Sequence, residues 1–145
     1  MPIITISRGS YSKGREVAEK LAQALHYDCI SREILLEASE EFNIPEINLV
    51  RAMHNSTSVL NRFLHGKNQY INYYQYALLK RLQKDNIVYH GLVGQYFLQS
   101  IPHVFKVRIL ASMEERVREV MRRDQVVEKE AENILHKNDD ERRKW

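Results

Sequence analysis

The sequence is poor in the residues that build specialised scaffolds. Of 145 residues, one is cysteine, three are proline, five are glycine and one is tryptophan. Cys29 has no second cysteine to pair with, so an internal disulfide and a thiol-stapled secreted framework are excluded. With no Gly/Ser linker, no low-complexity tract and no internal repeat, collagen-like and disordered classes fall away. No window approaches the roughly 18 consecutive apolar residues of a membrane span. The opening residues Met1 to Arg8 carry neither a basic leader nor a long apolar run, so no signal peptide is read there and a reducing, cytoplasmic setting is expected. The histidines at 26, 54, 65, 90, 103 and 136 show no ligand spacing with each other or with Cys29, and no metal site is expected. An excess of one charge is also missing. The chain has 22 Lys+Arg against 19 Asp+Glu, a net charge of +3. Residues 1–105 hold 11 basic and 9 acidic side chains, and residues 106–145 hold 11 and 10. The tail is dense in both signs, which describes an ion-paired helical surface and gives no strong nucleic-acid signal.

Hydrophobic residues make up 43% of the chain, enough for one domain with a real core. The β-branched run Ile3 to Ile6 predicts a strand, and Val17, Ala18, Leu21, Ala22 and Leu25 recur at helical spacing after Gly14. Tyr27 to Ile30 reads as a second strand. Ile34, Leu35 and Ala38 mark a helix, and Pro45 starts another carrying Leu49, Val50 and Met53. Residues 57–65 read as a helical turn and roughly 68–85 as a longer helix bearing Tyr70, Tyr73, Tyr74 and Tyr76. Helical spacing suits those tyrosines to core packing or a dimer contact, with base stacking the sharper alternative. Ile87 to His90 and Val104 to Leu110 read as strands, with His90 closing its strand beside Gly91. Ser112 with Glu115 forms a capping box that opens a helix, and Val127, Ala131, Ile134 and Leu135 mark a last one. Strands alternating with helices predict an α/β fold with a parallel sheet of about four strands. Residues 31–85 hold more helix than a crossover needs and read as an inserted helical lobe.

Four of the five glycines fall in two clusters, at 9–14 and 91–94, each following an apolar strand. The first is the sharper signal. A strand, the loop Ser7-Arg8-Gly9-Ser10-Tyr11-Ser12-Lys13-Gly14-Arg15-Glu16 and an amphipathic helix follow one another, which is the layout of a phosphate-binding loop. Gly9 and Gly14 have the spacing of G-x-x-x-x-G-K-[ST], but Arg15 and Glu16 stand where Lys and Ser/Thr are usual. Arg15 and Lys13 can supply positive charge. Glu16 can cap the helix or reach Mg²⁺ through water. The bland alternative is a plain strand-to-helix turn with solvated charges.

The sequence resembles the cytidylate kinase-like family, a branch of the P-loop nucleoside monophosphate kinases, over nearly its whole length. The resemblance rests on Ile4-Thr5-Ile6-Ser7-Arg8, on Gly14-Arg15-Glu16 through Ala22, and on Arg32-Glu33-Ile34-Leu35. It continues in Val107 to Ala111, Arg116 to Arg123 and Asp139-Asp140-Glu141-Arg142. In this family an Arg-Glu pair follows the loop's last glycine, so Arg15-Glu16 is expected there. The resemblance implies a single P-loop kinase-like domain over 1–145. Residues 1–30 and 86–111 would form the core sheet, 31–85 the helical lobe and 112–145 the lid-type helices. It also implies a further strand and helix beyond the lid, so the chain is expected to be a fragment or to have its sheet completed by a partner, and a homo-oligomer is one form of that.

The implied activity is ATP-dependent phosphoryl transfer to a nucleoside monophosphate, with ATP and Mg²⁺ as cofactors, a nucleotide as the substrate and no membrane partner. Ser7, Arg8, Gly9, Ser10, Tyr11, Ser12, Lys13, Gly14, Arg15 and Glu16 would hold the ATP phosphates. Arg15, Arg116, Arg123 and Arg142 would stabilise the transferring group, Asp139 would orient an arginine or water, and Arg32 and Arg62 are the acceptor-phosphate candidates. The sequence departs from the family pattern at three places. Tyr11 and Lys13 replace loop glycines, Ser31 replaces an aspartate, and Leu92 stands where Gly91-Leu92-Val93-Gly94 would carry an arginine. Those departures keep two other readings open: a nucleotide- or phosphate-binding regulatory domain without turnover, and a structural oligomerisation domain.

Overall fold

A computed structural model describes residues 2–54, 67–91 and 93–143. The element order is β1 (Ile3–Arg8), α1 (Gly14–Leu25), β2 (Asp28–Ile30), α2 (Glu33–Phe42), α3 (Glu46–His54), α4 (Lys67–Leu82), β3 (Ile87–His90), α5 (Gly94–Phe97), β4 (Val104–Ile109), α6 (Met113–Asp124) and α7 (Glu128–Arg143). The strands form one parallel sheet in the order β2-β3-β1-β4. This is the α/β architecture, with a four-stranded parallel sheet, that the alternating pattern predicts. Residues 57–65 lie outside the described residues, as do Arg62 and Leu92. Sequence periodicity did not signal α5, which is a single turn.

Alternation along β1 divides the molecule into two faces. Ile4 and Ile6 turn to α1, where they pack with Ala18, Ala22 and Val88. Ile3 turns the other way, into the largest core cluster, with Ile34, Leu49, Leu78, Ile87, Tyr89 and Leu98. On that second face α5 sits directly on the sheet. A Cβ at Gly94 would collide with the Tyr89 ring and meet Thr5 Oγ1 at 3.0 Å, so glycine is what permits this approach. The helices α2, α3 and α4 pack on the same cluster and form the helical lobe. The pair α6 and α7 builds its own small core from Val117, Val120, Ala131 and Leu135.

Scarce glycine has a visible consequence. Tyr11, Lys13, His26, Asn43, Asp85, Asn86 and Gln125 all adopt a positive φ without being glycine. His26, Asn43 and Gln125 do so as the terminating residues of α1, α2 and α6. Asp85 and Asn86 take it in the turn after α4, which ends that helix at Leu82, three residues short of the periodicity-based boundary. Asn and Asp tolerate this region better than other residues, whereas a side chain such as Tyr or His carries a cost of about 1–2 kcal/mol there.

Candidate phosphate-loop site

The loop between β1 and α1 is built around Gly9, Ser10, Tyr11, Ser12 and Lys13. Tyr11 and Lys13, which stand in place of glycines, have φ of 55° and 57°, so both adopt the left-handed conformation that glycine would take freely. Ser12 Oγ donates to the Gly9 carbonyl at 2.9 Å and closes the loop from within. Gly14 starts α1 against the end of β1, and a Cβ there would lie 2.5 Å from Arg8 Cβ. Among the described residues the backbone amides of Ser10 through Glu16 make no well-aligned bond to a backbone carbonyl, while Val17 N–H begins the helical ladder by donating to the Lys13 carbonyl. Such amides at a helix N-terminus, next to left-handed residues, form an environment suited to an oxyanion.

The hairpin of α6 and α7 clasps this loop. Arg116 Nε donates to the Ser10 carbonyl at 2.9 Å and Nη2 to Ser10 Oγ at 2.8 Å. The same guanidinium grips Asp139 bidentately, at 3.0 and 2.7 Å, and Ser10 Oγ donates to Asp139 at 3.2 Å. Hydrogen bonding to Arg116 holds the Asp139 carboxyl below its ordinary range. Tyr11 packs its ring on the hairpin core, donates its hydroxyl to Asp124 Oδ2 at 2.6 Å and lies under the Arg123 guanidinium, 5.0 Å from the ring centroid. The bond to Asp124 raises the Tyr11 pKa. Arg142 reaches across to donate to the Arg8 carbonyl. Ser112 Oγ accepts from the Glu115 N–H at 3.2 Å and starts α6, as the capping signal predicts.

The remaining candidates lie around this centre. Arg15 is turned outward, 70% exposed, with Nε 2.7 Å from Glu19 on the next turn of α1. Lys13 and Glu16 are exposed at the loop and first helical turn. Arg32 bonds Glu46 at 3.0 and 3.2 Å, joining the starts of α2 and α3. His90 is only 6% exposed and its Nδ1 has no partner. Burial, followed by the charge of Arg8, pushes its pKa down. Two tyrosines of α4 pack within the lobe, while Tyr76 is exposed: Tyr74 shares a 2.9 Å hydroxyl contact with Tyr89, and Tyr73 stacks on Phe42 with ring centroids 4.0 Å apart. Burial raises the pKa of both Tyr74 and Tyr89.

A cavity of about 380 Å³ lined by Ser7, Arg8, Gly9, Arg116 and Arg142 among others adjoins the loop, and two more flank the loop system. One of about 280 Å³ lies between the helical lobe and the end of β3, with Arg32, Leu35, Met53, Tyr74, Tyr89 and Gly91 among its lining residues. The other, of about 510 Å³, opens beside the loop between Tyr11, Lys13, Val17, Leu110, Glu115 and Arg122. Among the described residues no group of three or more His, Cys, Asp or Glu side chains is placed to hold a metal ion. No helix among them is long and apolar enough to cross a membrane. Sequence reasoning named Arg116 and Asp139 but not their bond, and it missed the Tyr11–Asp124 and Tyr74–Tyr89 contacts. Those pairings join residues far apart in the chain, and no local spacing announces them.

A parallel β2-β3-β1-β4 sheet, a loop of open amides at the end of β1 and a helical hairpin over that loop define a P-loop kinase-like α/β protein. The model of the cytidylate kinase-like family matches residues 3–145, and the chain belongs to that family. Among solved structures, an uncharacterised protein from Eubacterium ventriosum is similar over 98% of this chain and 73% of its own, at 24% identity and a TM-score of 0.61. TT1252 from Thermus thermophilus is similar over 90% of this chain and 76% of its own, at 20% identity and a TM-score of 0.52. At these identities both speak to the fold. No curated protein matches the sequence.

Proposed function

We propose that the protein transfers a phosphoryl group from ATP to a nucleoside monophosphate. The observation that carries this reading is the run of amides from Ser10 to Glu16, without well-aligned backbone acceptors, beneath an arginine-bearing hairpin. Phosphoryl transfer asks a protein for positioning and for positive charge around the phosphates more than for covalent chemistry. The loop amides and the start of α1 receive the ATP phosphates. Lys13 and Arg15 border them from the solvent side. The Arg15–Glu19 pair is solvent-exposed, so Arg15 exchanges that partner for a phosphate at little cost. Arg123, held over the Tyr11 ring, adds charge from the hairpin.

Arg116 and Asp139 act as positioning residues, because their mutual bond and their grip on Ser10 set where the hairpin sits. The cavity by Arg32, Tyr74 and Tyr89 receives the acceptor, and Arg62 is the further acceptor-phosphate candidate from sequence. Magnesium would neutralise charge on the ATP phosphates, with Glu16 as the loop carboxylate to meet it through water.

A second reading, nucleotide binding without turnover, is favoured by Leu92 in place of the expected arginine and by the full engagement of Arg116. A coupled ADP-release assay with ATP–Mg²⁺ and a panel of nucleoside monophosphates separates the two. Acceptor-dependent ADP release supports the kinase, whereas calorimetric ATP binding without release for any acceptor supports the binding domain. Arg15→Ala is expected to weaken ATP several-fold through loss of a charge-assisted phosphate contact. An unchanged dissociation constant removes Arg15 from the site.

A further inference from the structure

We infer that His90 is a proton switch coupled to the phosphate loop: when a nucleotide phosphate draws Arg15 away from Glu19, the freed carboxylate lets the His90 imidazole take up a proton from solvent, and nucleotide binding tightens as the pH falls. The inference rests on the phosphate-loop reading and adds a titrating partner to it. His90 ends β3 in register with Ile6 of β1 and, like Val88, turns to the α1 face of the sheet. Its ring is almost fully buried, and Nδ1 has no hydrogen-bond partner. An unpaired buried nitrogen costs free energy, so its retention at the strand end calls for a role.

Charged groups act on the ring from β1, α1 and α2. Arg8 on β1 and Arg15 on α1 oppose its protonation, whereas Glu19 on α1 and Glu33 at the start of α2 favour it. On β2, Cys29 pairs in register with Val88 and so shares this face, and burial keeps its thiol protonated. Two of these charges are fixed. Arg8 lies over the start of α1, where a Cβ on Gly14 would meet its Cδ at 2.9 Å, and Glu33 accepts the Ser31 N–H at 2.7 Å. The Arg15–Glu19 pair is the exchangeable element, because both side chains are solvent-exposed and their 2.7 Å bond joins adjacent turns of α1. While it holds, guanidinium and carboxylate offset each other at the ring. Once phosphate takes Arg15, that cation is neutralised and Glu19 keeps a bare negative charge, since its ordinary value of 4.5 leaves it ionised at neutral pH. Both changes favour the imidazolium. The proton returns to solvent when the nucleotide leaves. A group that binds protons more tightly in the complex makes the complex more stable at lower pH.

The test follows the His90 ring C–H resonance of the isotope-labelled chain from mildly alkaline to mildly acid pH, with and without saturating ATP–Mg²⁺. The Ser10 to Glu16 amides report in the same spectra whether nucleotide is bound. The free ring is expected to titrate below the ordinary 6.5 and the nucleotide-bound ring higher. The ATP dissociation constant should fall about threefold between roughly pH 8 and pH 6. His90→Gln should flatten that dependence, with its unfolding midpoint showing that it folds. Glu19→Gln, which leaves the histidine in place, should remove most of the ring's response to ATP while nucleotide still binds. The nucleotide's own titration is common to all three proteins and does not mimic the difference between them. The inference is overturned if the ring titrates identically with and without ATP while the loop amides shift, or if its response survives Glu19→Gln. Loop amides that stay unmoved would instead defeat the phosphate-loop reading, and this inference with it.

Discussion

The helical lobe and the α6–α7 hairpin are both helical additions to one small sheet, yet different forces attach them. The lobe shares the main hydrophobic cluster, with Ile34, Ala38, Leu49 and Leu78 fully buried against strand residues such as Ile87 and Tyr89. The hairpin keeps a separate core of Val117, Val120, Ala131 and Leu135, on which Tyr11 packs from the loop. Its side-chain hydrogen bonds to the loop and the end of β1 involve charged groups: Arg116 to Ser10, Tyr11 to Asp124 and Arg142 to the Arg8 carbonyl. Burial of apolar surface holds regardless of salt and of most pH, whereas ion pairs and hydrogen bonds near the surface are screened and titrate. The lobe is therefore held mainly by apolar burial, and the hairpin meets the loop mainly through charged and polar contacts.

Substitutions on the two sides should break this comparison in different ways. The largest effect is expected in the lobe. Leu78→Ala removes a fully buried side chain and should lower global stability by about 2–5 kcal/mol in denaturant unfolding. Next comes Asp139→Ala, which strands the Arg116 guanidinium beside Ser10. It should loosen the hairpin by about 1–3 kcal/mol, read as faster amide exchange confined to α6, α7 and the loop, with the lobe unchanged. Exchange that rises equally in α4 would show that the hairpin is not a separable unit.

A third test sets the two loop residues at positive φ against each other. Lys13 is exposed and its side chain makes no capping bond, so Lys13→Gly should relieve strain and raise stability by about 1 kcal/mol. Tyr11 has the same backbone conformation but packs on the hairpin, so Tyr11→Gly should destabilise despite the same relief. The smallest effect is a pH dependence. Asp139 is held below its ordinary value of 3.8, so its contribution to the clasp is complete above that value and is lost as pH falls through the depressed one. Hairpin exchange followed from neutral to acid pH should show that loss, and Asp139→Asn should flatten it.

Much of the fold could be read from the sequence because it rests on local patterns. The run Ile3 to Ile6, the helical spacing after Gly14 and the Ser112–Glu115 cap each report their own element. The strand-loop-helix layout placed the candidate site as well. Long-range pairings were not legible. Arg116 and Asp139 read as independent lid candidates, yet they form one clasp on Ser10, 106 and 129 positions away. Tyr11 and Lys13 read as obstacles to a phosphate loop, because sequence shows the bulk of a side chain and not the φ that its surroundings impose.

The central claim is that the amides following β1 form an oxyanion cradle. Titration of ATP–Mg²⁺ into the isotope-labelled chain, read at the backbone amides of Ser10 through Glu16, tests it most directly. The account predicts large, saturable shifts at those amides, with smaller ones at Arg116 and Arg123. A folded protein whose loop amides stay unmoved at millimolar ATP would contradict it.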